Sequence, residues 1–182
     1  MALTFLLFAL KRRTEMEIRK TRIEELDTVL EIYSRARAFM EAHGNPNQWK
    51  KTRPARNRIE QDIVEEKSYV CVVDGKIAAV FYFAEEEDPT YDVIYEGDWL
   101  NDRSYAVVHR IASAGTVKGA GSFCMEWAAT QANNIRIDTH EDNYVMQNML
   151  KSLKKQGFVY CGKILTDDGT ERLAFQKDTA QE

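Results

Sequence analysis

The sequence is poor in the residues that cross-link small extracellular folds. Among its 182 residues there are three cysteines and three prolines. The cysteines, Cys71, Cys124 and Cys161, are odd in number and widely spaced, which argues against a disulfide framework and against a zinc site. We therefore expect no resident metal and a protein of the reducing cytoplasm.

The chain also lacks an excess of positive charge. Its formal net charge is −4 at pH 7, whereas general nucleic-acid binders are usually basic, so we expect no nucleic-acid partner. The acidic excess suits a cationic acceptor, although only weakly. With 44% hydrophobic and 30% charged residues, the composition is that of one globular domain.

No uncharged run is long enough to cross a membrane. The N-terminal run, MALTFLLFAL, has ten residues and is followed by three basic ones. Ten residues do not span a bilayer, and a signal peptide has its positive charges before the apolar run. We predict that residues 1–15 form an extension outside the fold, 16–178 the domain and 179–182 a tail. The alternative is that the extension forms a short helix on a membrane or partner surface, without stable insertion.

Hydrophobic periodicity predicts the order β-α-α-β-β-β-α-β-α-β-β. This order indicates an α/β fold with a mixed, mostly antiparallel central sheet flanked by helices. Asp74-Gly75 is a strong hairpin turn signal. The predicted strands are 16–22, 69–73, 76–84, 105–112, 135–139, 158–165 and 172–176, and the predicted helices are 23–42, 55–66, 121–132 and 142–155.

A glycine-rich turn links the strand 105–112 to the helix 121–132. Glycine allows a phosphate to approach the backbone, and a helix start supplies free N–H donors with a partial positive charge. The turn Val117-Lys118-Gly119-Ala120-Gly121-Ser122 therefore predicts a diphosphate cradle, with a simple tight turn as the alternative. The chain has no GxxxxGK[ST] loop, and the third glycine of the dinucleotide fingerprint is missing, which disfavours the two rival phosphate loops.

The strand, the glycine turn, the helix, the strand IRIDT and the segment HEDNYVMQNMLKSLKKQGFVYCG together resemble the GNAT family of acetyl-CoA-dependent N-acyltransferases. The resemblance covers about residues 16–177. The stretches GNPNQW, WLND, HRIASAG, RIDTHEDN and GFVYCG are similar to one generic bacterial subgroup. The resemblance implies the GNAT fold and direct acetyl transfer, within a ternary complex, from acetyl-CoA to a primary amine of a small molecule or peptide. It leaves dimerisation open, and a homodimer is compatible with it.

The same resemblance assigns the cofactor residues. The turn from Val117 would hold the coenzyme A pyrophosphate, although the family's first Gln/Arg position is filled by Thr116, Val117 or Lys118. The preceding strand would pair with the pantetheine amides, and an asparagine would open the later helix. The assigned cofactor-binding residues are Ile111, Ala112, Ser113, Val117, Lys118, Gly119, Ala120, Gly121, Ser122, Asn143 and Met146.

One departure from the family concerns the acid that protonates the leaving thiolate. Many members have a tyrosine seven residues after the helix asparagine, where this chain has Leu150; because the spacing to Phe158 is about a helical turn longer, Leu153 is the other occupant. Neither leucine donates a proton, and Tyr144 and Tyr160 are substitutes by residue type only. A non-catalytic acyl-CoA sensor or interaction module is therefore the alternative function.

Amide formation needs a neutral amine, and a lysine-like amine is only about 0.04% neutral at pH 7. A base or a desolvating pocket has to offset roughly 4 to 5 kcal/mol. His109, on the strand that leads to the turn, is the first candidate base, since the ordinary pKa of histidine is near 6.5. A purely structural histidine is the alternative, and Tyr105 is the second catalytic candidate.

The acceptor pocket is predicted to be lined by the loop between the first two helices together with Trp99 and Tyr105. Flat aromatic walls there could hold a cation over a ring face, and packing at the edge of the core is the alternative. Arg110 is expected on the face opposite His109 if the strand is regular, or instead in a pair with an acidic residue such as Asp98 or Asp102. The candidate acceptor residues are Asn45, Gln48, Trp49, Trp99, Tyr105 and Arg110.

Two acidic stretches receive structural interpretations. Residues 138–142 superficially resemble a metal cluster, but their spacing fits no standard site, and a helix cap by Thr139 or Asp142 explains them. Residues 85–88 are predicted to form a solvated loop.

Overall fold

The computed structural model describes residues 15–153 and 158–179. Most of the predicted extension, the end of the predicted helix 142–155 and Gly157 lie outside these residues. The described strands are β1 (Met16–Lys20), β2 (Ser68–Val73), β3 (Lys76–Glu85), β4 (Ala106–Ser113), β5 (Asn134–Thr139), β6 (Phe158–Leu165) and β7 (Glu171–Asp178). The described helices are α1 (Leu26–Ala42), α2 (Arg56–Val64), α3 (Ala120–Gln131) and α4 (Tyr144–Ser152), and short 3-10 turns cover Ile23–Glu25 and Pro89–Tyr91.

The seven strands form one sheet in the order β1-β2-β3-β4-β5-β7-β6. Every neighbouring pair is antiparallel except β4 with β5. This architecture confirms the predicted mixed, mostly antiparallel sheet. The parallel contact in its centre is short, because it joins only Ala106 to Ile135 and Val107 to Arg136.

A bulge in β4 explains why that contact is short. Tyr82 of β3 pairs with His109 and Val80 pairs with Ala112, so two residues of β4 oppose one of β3. Arg110 takes up the extra length in a left-handed conformation with φ of 51°. A bulge bends its strand and increases the local twist. Beyond Val107, β4 stays with β3 and separates from β5, which we call the strand opening.

The two faces of the sheet bury different groups. Side chains alternate along a strand, so Phe81, Val108 and Ile135 point to one side, where α3 packs Cys124 and Met125 against them. We call this side the α3 face. The opposite side, the α1 face, is covered by α1 and by the turn Pro89–Tyr91. The α1 face carries the candidate active site.

Within the described residues, no helix has the length and apolar character that a membrane crossing requires.

Candidate active site

His109 and Asp138 face each other across the strand opening. Each lies two residues beyond the last pair that joins β4 to β5, and both side chains point to the α1 face. The distance from His109 Nδ1 to Asp138 Oδ1 is 3.8 Å, and the two side chains are only 18% and 16% exposed. The opening therefore brings an imidazole and a carboxylate together at its narrow end, too far apart to hydrogen-bond directly.

Asp88 holds the other nitrogen of the His109 ring. Its Oδ2 lies 2.8 Å from Nε2, while its Oδ1 accepts hydrogen bonds from the backbone N–H and the hydroxyl of Thr90 at 2.9 and 2.7 Å. Burial raises the pKa of Asp88, but the hydrogen bonds from His109 and Thr90 outweigh it and lower that pKa to about 2. An ionised carboxylate only accepts hydrogen bonds, so Asp88 is placed to accept one from Nε2 when that nitrogen is protonated.

Asp138 is held by two further groups. The Tyr91 hydroxyl donates to its Oδ1 at 2.7 Å, and burial raises the pKa of Tyr91 well above its ordinary value, so the donor stays neutral. The Arg172 Nε lies 3.8 Å from Asp138 Oδ2. In the part of the chain that the structure describes, His109 Nδ1 makes no hydrogen bond. In the neutral imidazole this nitrogen offers its lone pair to the strand opening.

The strand is not regular at Arg110, so Arg110 does not lie on the opposite face, and it pairs instead with an acidic residue, although not with either of the two named. The bulge turns the guanidinium onto the same face as His109, 4.4 Å from the centre of the Tyr82 ring. Its Nε donates to Asp62 of α2 at 2.9 Å, rather than to Asp98 or Asp102. The Tyr33 hydroxyl of α1 donates to the Arg110 carbonyl at 2.9 Å. Arg110 thus anchors the bulge to both helices of the α1 face.

The predicted phosphate cradle lies where β4 leads into α3. Gly119 is the N-cap residue with φ of 84°, a conformation that favours glycine, and no side chain caps α3. Among the described residues, no protein acceptor hydrogen-bonds the backbone N–H groups of residues 117–122. The α4 N-terminus differs, because Asn143 Oδ1 accepts there from the Met146 N–H at 3.0 Å. The α3 start therefore combines free donors with the positive end of a helix dipole.

The two close glycines of the turn have different surroundings. A Cβ on Gly119 would meet no atom within 4 Å, so that side of the turn is open. A Cβ on Gly121 would lie 3.4 Å from Met149 Sδ, an ordinary contact with a flexible side chain. Val117 and Ala120 pack into the α3-face core, whereas Lys118 is exposed. An open pocket beside the turn is lined by Val73, Asp74, Lys76, Ala78, Thr116, Val117 and Lys118.

The strand residues assigned to pantetheine have one free edge. Ala112 and Ser113 pair with β3 on one side, and no described strand pairs with residues 108–113 on the side that faces β5. Ile111 packs partly buried against the α3-face core, and Ser113 Oγ accepts from the Gly115 N–H at 3.1 Å. The edge between the α3 start and His109 thus presents backbone donors and acceptors.

The candidate acceptor loop contacts the start of α4. Asn143 Nδ2 donates to Gln48 Oε1 at 2.8 Å, and Asn45 Nδ2 donates to the same oxygen at 2.9 Å. Asn143 is the N-cap of α4, so the prediction that Thr139 or Asp142 caps this helix was wrong. The Met146 side chain is buried in the α3-face core. The Gln48 side chain of the acceptor loop is therefore hydrogen-bonded to Asn143, which the resemblance assigned to the cofactor.

The aromatic candidates pack against protein groups. Trp49 meets the Tyr33 ring edge-on, with centroids 5.5 Å apart. Trp99 donates from Nε1 to the Tyr91 carbonyl at 2.9 Å. The Arg136 guanidinium lies 4.3 Å from the Trp99 ring and 4.1 Å from the Tyr105 ring. Of the predicted aromatic walls, Trp99 and Tyr105 therefore already hold a cation of the protein itself.

Sequence reasoning missed the carboxylates that flank His109. The acidic loop is not simply solvated, since Glu86 accepts from the Tyr82 hydroxyl and Asp88 binds His109. The Asp-Pro-Thr order contained a usable signal, because an aspartate often accepts from the backbone two residues on and so fixes a turn. The Asp88 N–H also donates to the Tyr105 hydroxyl at 3.0 Å, which places the second catalytic candidate against the same loop.

Comparison with known proteins decides the family. No family model and no curated protein matches the sequence. A solved GNAT-family acetyltransferase from Streptococcus agalactiae 2603 is 34% identical over 90% of this chain and 95% of its own, with a TM-score of 0.81. The chain belongs to the GNAT family. GNAT proteins are a family of acetyltransferases, and membership of the family does not identify the acceptor.

Two more distant structures share the GNAT fold. A putative acetyltransferase from Staphylococcus aureus Mu50 is 23% identical, covering 88% of this chain and 97% of its own, with a TM-score of 0.63. A putative acetyltransferase from Salmonella typhimurium with its cofactor acetyl-CoA is 13% identical, covering 92% and 95%, with a TM-score of 0.60. At these identities the likeness supports the fold alone.

The position at which many GNAT proteins have the thiolate acid is apolar in this chain. Leu150 and Leu153 are both buried in the α3-face core of this GNAT protein. Tyr144 and Tyr160 are 63% and 48% exposed, on the outer surface of α4 and on β6. Within the described residues, no group of three or more His, Cys, Asp or Glu side chains is arranged to hold a metal ion.

The lowered pKa of Asp88 predicts a pH dependence of stability. A carboxylate whose pKa is lower in the folded than in the unfolded chain stabilises the fold above its unfolded pKa near 4, and this contribution is lost as pH falls. We expect the free energy of unfolding of the wild type, relative to Asp88→Asn, to fall by about 2 kcal/mol between pH 5 and pH 2. Urea unfolding at several pH values measures this difference.

Asp92→Asn is the matched control, since Asp92 is exposed in the same loop. A difference between wild type and Asp88→Asn that stays constant from pH 5 to pH 2 would contradict the assignment of an ionised, hydrogen-bonded Asp88.

Proposed function

We propose that this GNAT protein transfers the acetyl group of acetyl-CoA to a primary amine, with both substrates bound together. The observation that carries the proposal is the strand opening, which runs from the uncapped start of α3 along the free edge of β4 to His109. The free strand edge thus lies between the proposed diphosphate cradle and the proposed base. Family membership supports acetyl-CoA as the co-substrate, and the Salmonella protein of the same fold is solved with that cofactor.

The residues present fit acetyl-CoA. The N–H groups of residues 117–122 and the Lys118 ammonium suit a pyrophosphate, because they supply donors and positive charge at a helix start. The free edge of residues 111–113 suits the amides of the pantetheine arm, since an extended chain can pair with an exposed strand edge. In this placement the thioester is held near the narrow end of the opening.

His109 is the proposed base. A protonated amine gives a proton to Nδ1, and the amine lone pair then attacks the thioester carbonyl. The new C–N bond forms as the C–S bond breaks, and the sulfur leaves with its electron pair. Asp88 remains ionised and holds Nε2 throughout. The thiolate leaves without an acid from α4 or takes a proton from water, since Leu150 and Leu153 donate none.

A non-catalytic acyl-CoA sensor or interaction module remains the second candidate. Its support is the same pair of leucines, because a chain that only binds acyl-CoA needs no thiolate acid. The two functions differ in one observable, the release of free coenzyme A thiol.

The first test measures thiol release from acetyl-CoA with a panel of primary amines. Transfer predicts release that depends on the amine and an acetylated product in the mass spectrum. We expect His109→Ala to reduce the rate by about 100-fold or more, because general-base catalysis contributes factors of this size. The matched control is His43→Ala, an exposed histidine at the end of α1, which should leave the rate unchanged.

Two outcomes would count against the assignment. Tight acetyl-CoA binding with no thiol release for any amine would favour the sensor. Release that is equally fast in His109→Ala would remove His109 as the base while leaving acetyl transfer in place.

The second test addresses the cradle. Gly119→Glu puts a negative side chain at a left-handed position beside the free N–H groups, so we expect it to abolish the thermal stabilisation by acetyl-CoA. Gly169→Glu is the control, because Gly169 has a similar φ of 75° and an equally open surrounding in the turn between β6 and β7. The control carries the same backbone strain and charge and should retain the stabilisation. Equal acetyl-CoA stabilisation of both variants would refute the cradle.

A further inference from the structure

We propose that Asp88 is a positioning residue that fixes His109 as the Nε2–H tautomer, and that the acceptor binds as an ammonium ion shared between His109 Nδ1 and Asp138. The inference rests on the proposed function and adds the tautomer, the ammonium site and the charge of the acceptor.

The tautomer follows from the hydrogen bonds around Asp88. Thr90 occupies Oδ1 with two hydrogen bonds, which leaves Oδ2 to face Nε2 at 2.8 Å. A carboxylate that is ionised at neutral pH has no proton to donate, so the proton of this contact belongs to His109. The lone pair of the neutral ring is then on Nδ1, the nitrogen directed at the strand opening.

The spacing of two acceptors defines the ammonium site. His109 Nδ1 and Asp138 Oδ1 are 3.8 Å apart. One nitrogen atom can lie about 2.8 Å from both, since that is an ordinary hydrogen-bond length and two such lengths exceed the separation. Asp138 Oδ1 receives one hydrogen bond from Tyr91, and a carboxylate oxygen has a second lone pair to offer. An R–NH₃⁺ group placed there can donate a hydrogen bond to each acceptor, and its positive charge lies next to the Asp138 carboxylate.

The charges around His109 favour a cation. From the loop after β3 it faces Asp88, and from β5 it faces Asp138. The rings of Tyr82 and Tyr91 lie 6.0 and 5.9 Å away.

The nearby charged groups are largely paired with one another. Arg110 is paired with Asp62, and Lys67 with Glu86. Arg172 approaches the other oxygen of Asp138, Oδ2, at 3.8 Å, and one of its terminal nitrogens donates to the Gln48 carbonyl at 3.1 Å. The two carboxylates next to His109 thus dominate the surroundings of Nδ1.

The proton balance is simple in this arrangement. The ammonium gives one proton to Nδ1, which produces an imidazolium flanked by Asp88 and Asp138 and a neutral amine. The amine nitrogen forms the C–N bond and coenzyme A leaves as the thiolate. The nitrogen loses a second proton as the amide forms. One of the two protons ends on the thiol and the other in solvent.

The experiment compares Asp88→Asn with Asp92→Asn in steady-state kinetics on an amine that the wild type acetylates. The asparagine amide can donate to Nε2 and so favours the opposite tautomer. We expect kcat to fall by about 100-fold or more with KM for acetyl-CoA unchanged. Thermal stabilisation by acetyl-CoA should persist in this variant, because Asp88 contacts His109 and not the start of α3. Asp92→Asn should match the wild type.

Asp138→Asn tests the ammonium site separately. Removal of the carboxylate should raise KM for the amine at least tenfold while thermal stabilisation by acetyl-CoA persists. Thr90→Val is a milder test of the same carboxylate, for the case in which Asp88→Asn does not fold. It removes only the hydroxyl that donates to Asp88 Oδ1 and leaves the carboxylate in place. This variant should lower kcat less than Asp88→Asn does.

Three outcomes would overturn the inference while acetyl transfer stands. One is an Asp88→Asn enzyme with wild-type kcat. Another is an Asp88→Asn enzyme whose loss of kcat comes with an equal loss of acetyl-CoA stabilisation, which is the result of a purely structural role. The third is an Asp138→Asn enzyme with unchanged KM for the amine. A wild type that releases no thiol with any amine would instead overturn the proposed function itself.

Discussion

The divergence of β4 from β5 is the constraint on which the candidate site depends. A strand in the middle of a sheet normally pairs on both sides, and unpaired backbone groups are costly unless they find a partner. Here β4 pairs with β3 along most of its length but pairs with β5 at only two residues. The resulting free edge is a place where an extended ligand can complete the sheet, and it begins beside the uncapped start of α3.

The bulge at Arg110 connects this edge to the chemistry at its narrow end. The extra residue places the Arg110 guanidinium on the α1 face, where Asp62 and the Tyr33 hydroxyl hold the bulge in place. It also leaves His109 as the last residue before the distortion, opposite Asp138. One irregularity in one strand therefore shapes both the proposed cofactor edge and the proposed base, so changes that relax the bulge should affect both.

The sequence predicted the parts of the fold that depend on local pattern. Period-2 and period-3.6 hydrophobicity located every described strand and α-helix to within a few residues, and the glycine turn was placed correctly at the start of α3. Alternation along β4 could not reveal that Arg110 breaks it, because a bulge is decided by the register with β3. Nor could spacing show that Asp88, 21 residues away, binds His109, since that contact depends on how the loop after β3 folds back.

Hydrogen exchange of the backbone amides, with and without acetyl-CoA, tests the central claim most directly. The account predicts that acetyl-CoA slows exchange in residues 108–122, because the ligand supplies acceptors to those N–H groups of the free β4 edge and of residues 117–122 that have none within the described chain. It predicts little change in β6 and β7. Acetyl-CoA binding that leaves exchange in residues 108–122 unaltered would contradict it.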